Sequence, residues 1–143
     1  MSYKRYKPLL DKLFYGLLIF TSLILIILTV LSLGSLVGFL ITLLADLFTL
    51  NFIISPLFGY VELREKTVFI KFGFFLKREI EYSKIRGIEK KRQFYSDSLI
   101  SLKNALSHIN IKYNKFDLIS VSIVNDEDFT KELEKRIYEA KSQ

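Results

Sequence analysis

The chain has no cysteine and only one histidine in 143 residues, and its six glycines are scattered. Without cysteine there is no disulfide, no thiolate metal site and no thiol nucleophile. The lone imidazole, His108, has no carboxylate or second ligand at a fixed spacing, so it reads as a structural or surface residue. Dispersed glycines exclude a phosphate-cradling loop. Ser96-Asp97-Ser98 offers hydroxyls but no positioned base. Asp126, Glu127 and Asp128 suit the first turn of a helix better than a metal loop. A non-catalytic protein without cofactor or metal is therefore expected. The most telling scarcity is of charge: Leu13 to Val61, 49 residues, carry a single formal charge, Asp46.

A helical span of a bilayer takes about 20 residues, so this block supplies two spans and a turn. The break falls at Ser32-Leu33-Gly34-Ser35, and Ser55-Pro56 is expected to close the second helix, because proline disfavours helical dihedrals in the residue before it. A cleaved signal peptide is the alternative for the first span, but its apolar stretch is too long and no small-residue cleavage site follows. The expected organisation is a basic cytoplasmic segment at residues 1–12, a two-helix transmembrane hairpin at 13–55 and a folded domain at 59–143. Lys4, Arg5, Lys7 and Lys12 precede the first span, the hairpin turn is uncharged, and from Tyr60 onward 17 Lys/Arg face 13 Asp/Glu. Positive flanks stay inside. The expectation is thus a multi-pass protein of the bacterial cytoplasmic (inner) membrane with both ends cytoplasmic.

Within the second helix, Gly34, Gly38, Thr42 and Asp46 recur every four residues and share one face. Small residues allow close helix approach, and hydroxyls satisfy buried polar groups. Folding the hairpin about residues 33–34 sets Asp46 opposite Thr21 and Ser22. The stripe reads as an intra-hairpin hydrogen bond or a homo-oligomer seam; a proton- or ligand-sensing carboxylate is the sharper alternative.

From Gly59 the pattern turns to alternation, the mark of strands. Strands are expected at Tyr60–Leu63, Thr67–Phe72, Lys77–Tyr82, Lys84–Glu89, Ser107–Tyr113 and Phe116–Val124, with a possible short one at Ser98–Leu102. Asn114-Lys115 reads as a two-residue hairpin turn. Asn125 then caps a helix whose apolar stripe is Phe129, Leu133, Ile137 and Ala140. Six or seven antiparallel strands plus one helix make an α+β domain, a bent sheet or barrel capped by its C-terminal helix.

The runs Asn104-Ala105-Leu106-Ser107, Ile109–Asp117, Val121-Ser122 and Phe129–Leu133, with Val68–Gly73 and Ile80–Ile88 upstream, resemble the YyaB-like bacterial PH-domain family. A more distant likeness is to the sublancin immunity protein. The resemblance covers roughly residues 59–137; Ile123 stands where the family usually has proline. It implies a PH-like fold and a membrane-anchored, non-catalytic module that binds a protein partner or lipid head groups. Immunity against a bacteriocin and an accessory role in a membrane complex are the alternatives. No catalytic residue carries over.

Counting strands from Gly59 puts Phe74, Phe75, Lys77 and Arg78 on the membrane side, together with Lys90, Lys91, Arg92, Phe94 and Tyr95. Basic residues near an anionic leaflet contribute about 1 kcal/mol each, so these residues are lipid-surface candidates; a solvated charged loop is the alternative. The usual ligand end of PH domains, at the first, third and sixth strand connections, falls by the same count on Arg64, Lys66, Lys84 and Lys115. That end would face the cytosol and a protein or soluble ligand. Basic and acidic residues are interspersed rather than gathered in a stripe, which argues against nucleic acid.

Overall fold

The computed structural model describes residues 3–73, 76–93, 95–98, 102–103 and 105–142. Apolar residues on every side make a continuous helix, α1 (Lys12–Leu31), whose first turn is capped by Asp11: its Oδ1 accepts the Leu13 N–H at 3.0 Å. A 3-10 turn at Ser32–Gly34 reverses the chain, as the Ser-Leu-Gly-Ser break predicted, and Ser35 caps α2 (Leu36–Phe58). The second helix runs past Ser55-Pro56 to Phe58, three residues beyond the expected end of the hairpin at residue 55, and stops at Gly59 in extended conformation. Proline disfavours the helix but does not forbid its last turns where the freed carbonyl can be satisfied otherwise.

The two helices pack antiparallel. The Ser22 hydroxyl donates to Asp46 Oδ1 at 2.6 Å, and the Tyr15 hydroxyl donates to the Ile53 carbonyl at 3.3 Å. Both pairs are equidistant in sequence from Gly34, as a hairpin folded there requires. Asp46 is buried and meets Ser22, whereas Thr21 turns back onto the Leu17 carbonyl of its own helix. Elsewhere in the stripe, a Cβ on Gly34 would meet nothing within 4 Å, one on Gly38 would meet Ser32 and Ser35 of the turn at 3.5 Å, and Thr42 bonds the carbonyls of Gly38 and Phe39.

The β domain has two antiparallel sheets. One has the order β1 (Lys4–Tyr6), β2 (Tyr60–Leu63), β3 (Thr67–Phe72), β4 (Leu76–Glu81); the other has β5 (Ile85–Arg92), β6 (Ser107–Tyr113), β7 (Asp117–Val121). Helix α3 (Asp126–Lys141) packs Phe129 and Leu133, both fully buried, into the space between them. Inward residues alternate as predicted, and Val61, Leu63, Val68, Ile70, Ile109, Ile111 and Val121 form one core with the helix.

Three features correct the sequence reading. First, Lys4, Arg5 and Tyr6 of the expected basic segment are a strand of the domain, paired with Leu63, Glu62 and Val61. The chain then continues along the other sheet, where Val124 N–H bonds the Lys7 carbonyl and Leu9 N–H bonds the Ser122 carbonyl, each at 2.9 Å. The apolar hairpin is therefore an insertion between the first and second strands of the domain. Second, Lys90, Lys91 and Arg92 are not a loop but the end of β5, paired with Ile109, His108 and Ser107. Third, the turn between β6 and β7 has three residues, since Tyr113 faces Asp117; Asn114 takes positive φ there. The possible strand at Ser98–Leu102 falls partly outside the described residues. At its end Leu102 makes a parallel bridge to Val121. Asn125 does precede α3, but in left-handed conformation and without a side-chain cap.

Candidate functional site

The inserted hairpin meets the domain at one end of the sheets. Tyr6 is nearly buried there, edge-on to Phe129 at 5.1 Å between ring centroids, and its hydroxyl donates to Asp128 at 2.8 Å. Burial, aided by the Asp128 carboxylate, pushes the Tyr6 phenol up to about 12. Lys4 pairs with the same carboxylate at 2.7 Å and, with Tyr6, holds it below its usual range. Across β1 and β2, the Arg5 guanidinium grips Glu62, which also accepts from Arg64; Arg5 first and Arg64 second depress that carboxylate. These contacts fasten β1 to the sheet and to the start of α3.

The segment between β5 and β6 reaches the foot of α1. Leu106 N–H points at Asp11 Oδ2 at 3.5 Å, and the Lys103 ammonium lies 5.4 Å from the Phe14 ring centroid. Beneath it, on the outer face of β5–β7, Asp97 accepts from Lys91 at 3.0 Å and from Asn110 at 2.9 Å, while Ser120 donates to Asn110 at 2.6 Å. Asn110 and Ser120 are fully buried. His108 is buried in the same face; one ring nitrogen lies 3.1 Å from the Leu106 carbonyl, and the other has no partner among the described residues. Burial lowers the affinity of His108 for a proton, and likewise that of Lys103.

This burial sets an acid limit. The folded protein holds His108 neutral below its usual value of 6.5, so the unfolded chain binds more protons there and stability falls with falling pH. The loss should start near pH 6.5 and level off below the depressed native value. A second loss should follow below the ordinary carboxylate range, as Glu62, Asp97, Asp128 and Glu132, all depressed by cationic partners, protonate. Thermal unfolding from pH 8 to 5 should show a falling Tm that His108→Gln flattens; an equal slope in both proteins would exclude His108.

The predicted lipid-surface residues divide. Lys90 is paired with Asp126 and Lys91 with Asp97, so both cations are engaged within the domain. Lys77, Arg78 and Arg92 are exposed and form no ion pair among the described residues, and Tyr95 is exposed. Phe74, Phe75 and Phe94 lie outside the described residues. Sequence reasoning missed Lys71, which stands directly opposite Lys77 on β3 and β4, beside Tyr60 at the exit from α2. Two like charges facing across a ladder repel, and no acid pairs with either among the described residues. Arg5 stacks over the Tyr60 ring at 4.2 Å, with the Lys71 ammonium 5.9 Å from it. The signal was present in sequence as Lys71 and Lys77 flanking the Gly73 bend, but only the register puts them face to face.

The predicted distal residues are brought together, since the Tyr82 N–H bonds the Lys66 carbonyl and the Asn114 N–H bonds the Lys84 carbonyl. Arg64 is spent on Glu62 and Glu79, Lys84 is paired with Glu81, and Lys115 lies over Phe116. Among the described residues no group of three His, Asp or Glu side chains is placed to hold a metal.

A family model, the bacterial PH domain, matches residues 59–137, more than half of the chain. The chain belongs to the bacterial PH-domain family. No curated protein and no solved structure matches it. PH domains are in general non-catalytic interaction modules. In this bacterial PH domain the matched stretch starts one strand late, because β1 lies on the far side of the hairpin. The strand count shifts accordingly: the first and third connections are the hairpin itself and the Gly73 turn, not the turns carrying Arg64–Lys66 and Lys84. The sixth connection, with Lys115, is unchanged.

Proposed function

We propose that this protein is a membrane-held PH-like interaction module, with both helices spanning the bilayer and the domain on the cytoplasmic face. The observation that carries this reading is the insertion of the hairpin between two paired strands. Helix Lys12–Gly34 is long and apolar enough to cross a membrane, with a mean hydropathy of 2.7, and α2 is apolar over Leu36–Asn51. Residues such as Phe20, Leu31, Leu36 and Phe48 are largely exposed along the pair, an apolar surface that needs lipid or protein to cover it. Because β1 and β2 are hydrogen-bonded neighbours, the two helices return to the same side, and no flexible linker separates them from the domain.

The domain is thereby held in one orientation. Its helix end, with Tyr60, Lys71, Lys77, Lys7 and Lys12, faces the head groups of an anionic leaflet, and the end formed by Lys66, Ser83 and Asn114 faces the cytosol. Such a module presents fixed surfaces to a partner at the membrane.

The absence of native cysteine makes the topology directly testable with single-cysteine variants in intact cells. Ser35→Cys, at the exposed hairpin turn, should react with a membrane-impermeant maleimide. Ser83→Cys and Ser142→Cys should react only after permeabilisation. Labelling of Ser35→Cys and Ser83→Cys from the same side would overturn the two-span reading.

A further inference from the structure

Strand β5 is the longest in the described structure, and it pairs with β6 along one edge, while no strand among the described residues lies beside the other. A long open edge offers a row of unpaired backbone N–H and C=O groups to an incoming strand. Here that edge runs along α3, and between them lies a groove of about 290 Å³ lined by Arg86, Gly87, Ile88, Ile137, Tyr138 and Lys141, with Glu134 on the helix side. Ile88 and Ile137 are partly buried, forming an apolar floor on the core. Tyr138 is 76% exposed, a large aromatic standing free beside that floor. The backbone is open at Gly87, where a Cβ would meet nothing within 4 Å. The ladder is irregular between Ile85 and Gly87, which sets Arg86 out of register with β6.

Charge selects the occupant. Among the described residues the two cations that line the groove, Arg86 and Lys141, form no ion pair, and Glu134 is the only acid lining it. A second copy of the chain fits poorly, because an antiparallel self-pair centred on β5 sets Arg86 against Lys91. Like charges directly opposite each other destabilise a strand pair.

We propose that this groove takes an extended, acidic segment of a partner protein, added as a further strand along β5. One apolar side chain of the segment packs between Ile88, Ile137 and Tyr138, and its carboxylates meet Arg86 and Lys141. Backbone hydrogen bonds supply affinity, and the apolar slot with its two cations supplies selectivity. The inference deepens the reading of the domain as an interaction module by naming the chemistry of a partner. It does not depend on the number of membrane spans.

The test selects a phage-displayed library of random heptapeptides on the full chain in phosphatidylcholine nanodiscs, with empty nanodiscs as counter-selection. Enriched peptides should alternate apolar residues and carry Asp or Glu, and their binding should slow hydrogen exchange at the amides of residues 86–88, the part of β5 that lines the groove. Gly87→Phe places its ring in the open space of the groove, and Arg86→Glu with Lys141→Glu reverses its charge. Each variant should weaken the selected peptides by about tenfold or more while leaving Tm unchanged. The proposal is overturned if no peptide is enriched over empty nanodiscs, if the winners are basic or neutral, or if they bind the Gly87→Phe variant equally well. A dimer of the parent chain that Gly87→Phe dissociates would also overturn it, by giving the groove to a second copy. Failure of any peptide to be enriched, with the cysteine-labelling pattern as expected, defeats the groove alone.

Discussion

Residues 59–143 expressed alone should fail to fold into a cooperative domain, although they contain the whole stretch matched by the family model. Joining residues 3–9 to residue 59 through a short Gly-Ser linker, with the hairpin removed, should restore folding. The reason lies in what β1 covers. It completes the edge of β2, and Lys7 and Leu9 bond the end of the other sheet, so without it both sheets have open edges at the corner they share. Tyr6 closes the core over Phe129 and bonds Asp128. Truncating a buried aromatic costs about 3–5 kcal/mol, a large part of the 5–15 kcal/mol that a domain commands in total. Tyr6→Ala in the full chain should therefore lower stability by about 3 kcal/mol or more, and loss of all of β1 should exceed what the domain can bear. Circular dichroism and amide dispersion on the two soluble fragments decide the matter. A cooperative unfolding transition in residues 59–143 alone would show β1 to be dispensable.

Phe129→Ala should undock α3. That helix has one buried face, made by Phe129, Leu133 and Arg136, with Ile137 and Ala140 half-covered beyond them. Phe129 is fully buried and touches Tyr6, so its removal opens a cavity at the junction of β1, the helix and both sheets. The expected loss is again about 3–5 kcal/mol. Arg136 does not compensate: its guanidinium reaches the Arg64 carbonyl at 2.8 Å and Glu132 at 2.7 Å, bonds that need the helix already in place. Hydrogen exchange should show α3 amides losing protection ahead of β6 in this variant. Because α3 forms one wall of the groove beside β5, peptide binding there should fall in parallel. An undiminished Tm for Phe129→Ala would mean that the sheets hold together without the helix.

The two predictions separate what local pattern decides from what only assembly decides. The apolar hairpin was legible because a bilayer-length helix and a small-residue turn are local features, and the Ser22–Asp46 bond follows from folding two regular helices about Gly34. The strands from Tyr60 to Val121 were legible because burial of one face enforces alternation. The stripe on α3 follows in the same way from its period.

By itself, then, the sequence determined a charge-poor two-helix block, an alternating β region and an amphipathic closing helix, all from periodicities written along neighbouring residues. Tertiary structure alone decided that Lys4-Arg5-Tyr6 is the first strand, since three residues show no period and their partners lie beyond the entire hairpin. It also decided which cations are free. Lys90 and Lys91 read as an exposed cluster, yet their acids, Asp126 and Asp97, are brought to them by α3 and by the segment after β5. Lys71 and Lys77 sit among ordinary alternating residues, yet the register of β3 and β4 sets them face to face. Burial of His108, Lys103 and Arg136, and the open edge of β5, are likewise invisible along the chain. Each depends on which distant segment arrives at that place, and pairing at a distance leaves no period in the sequence.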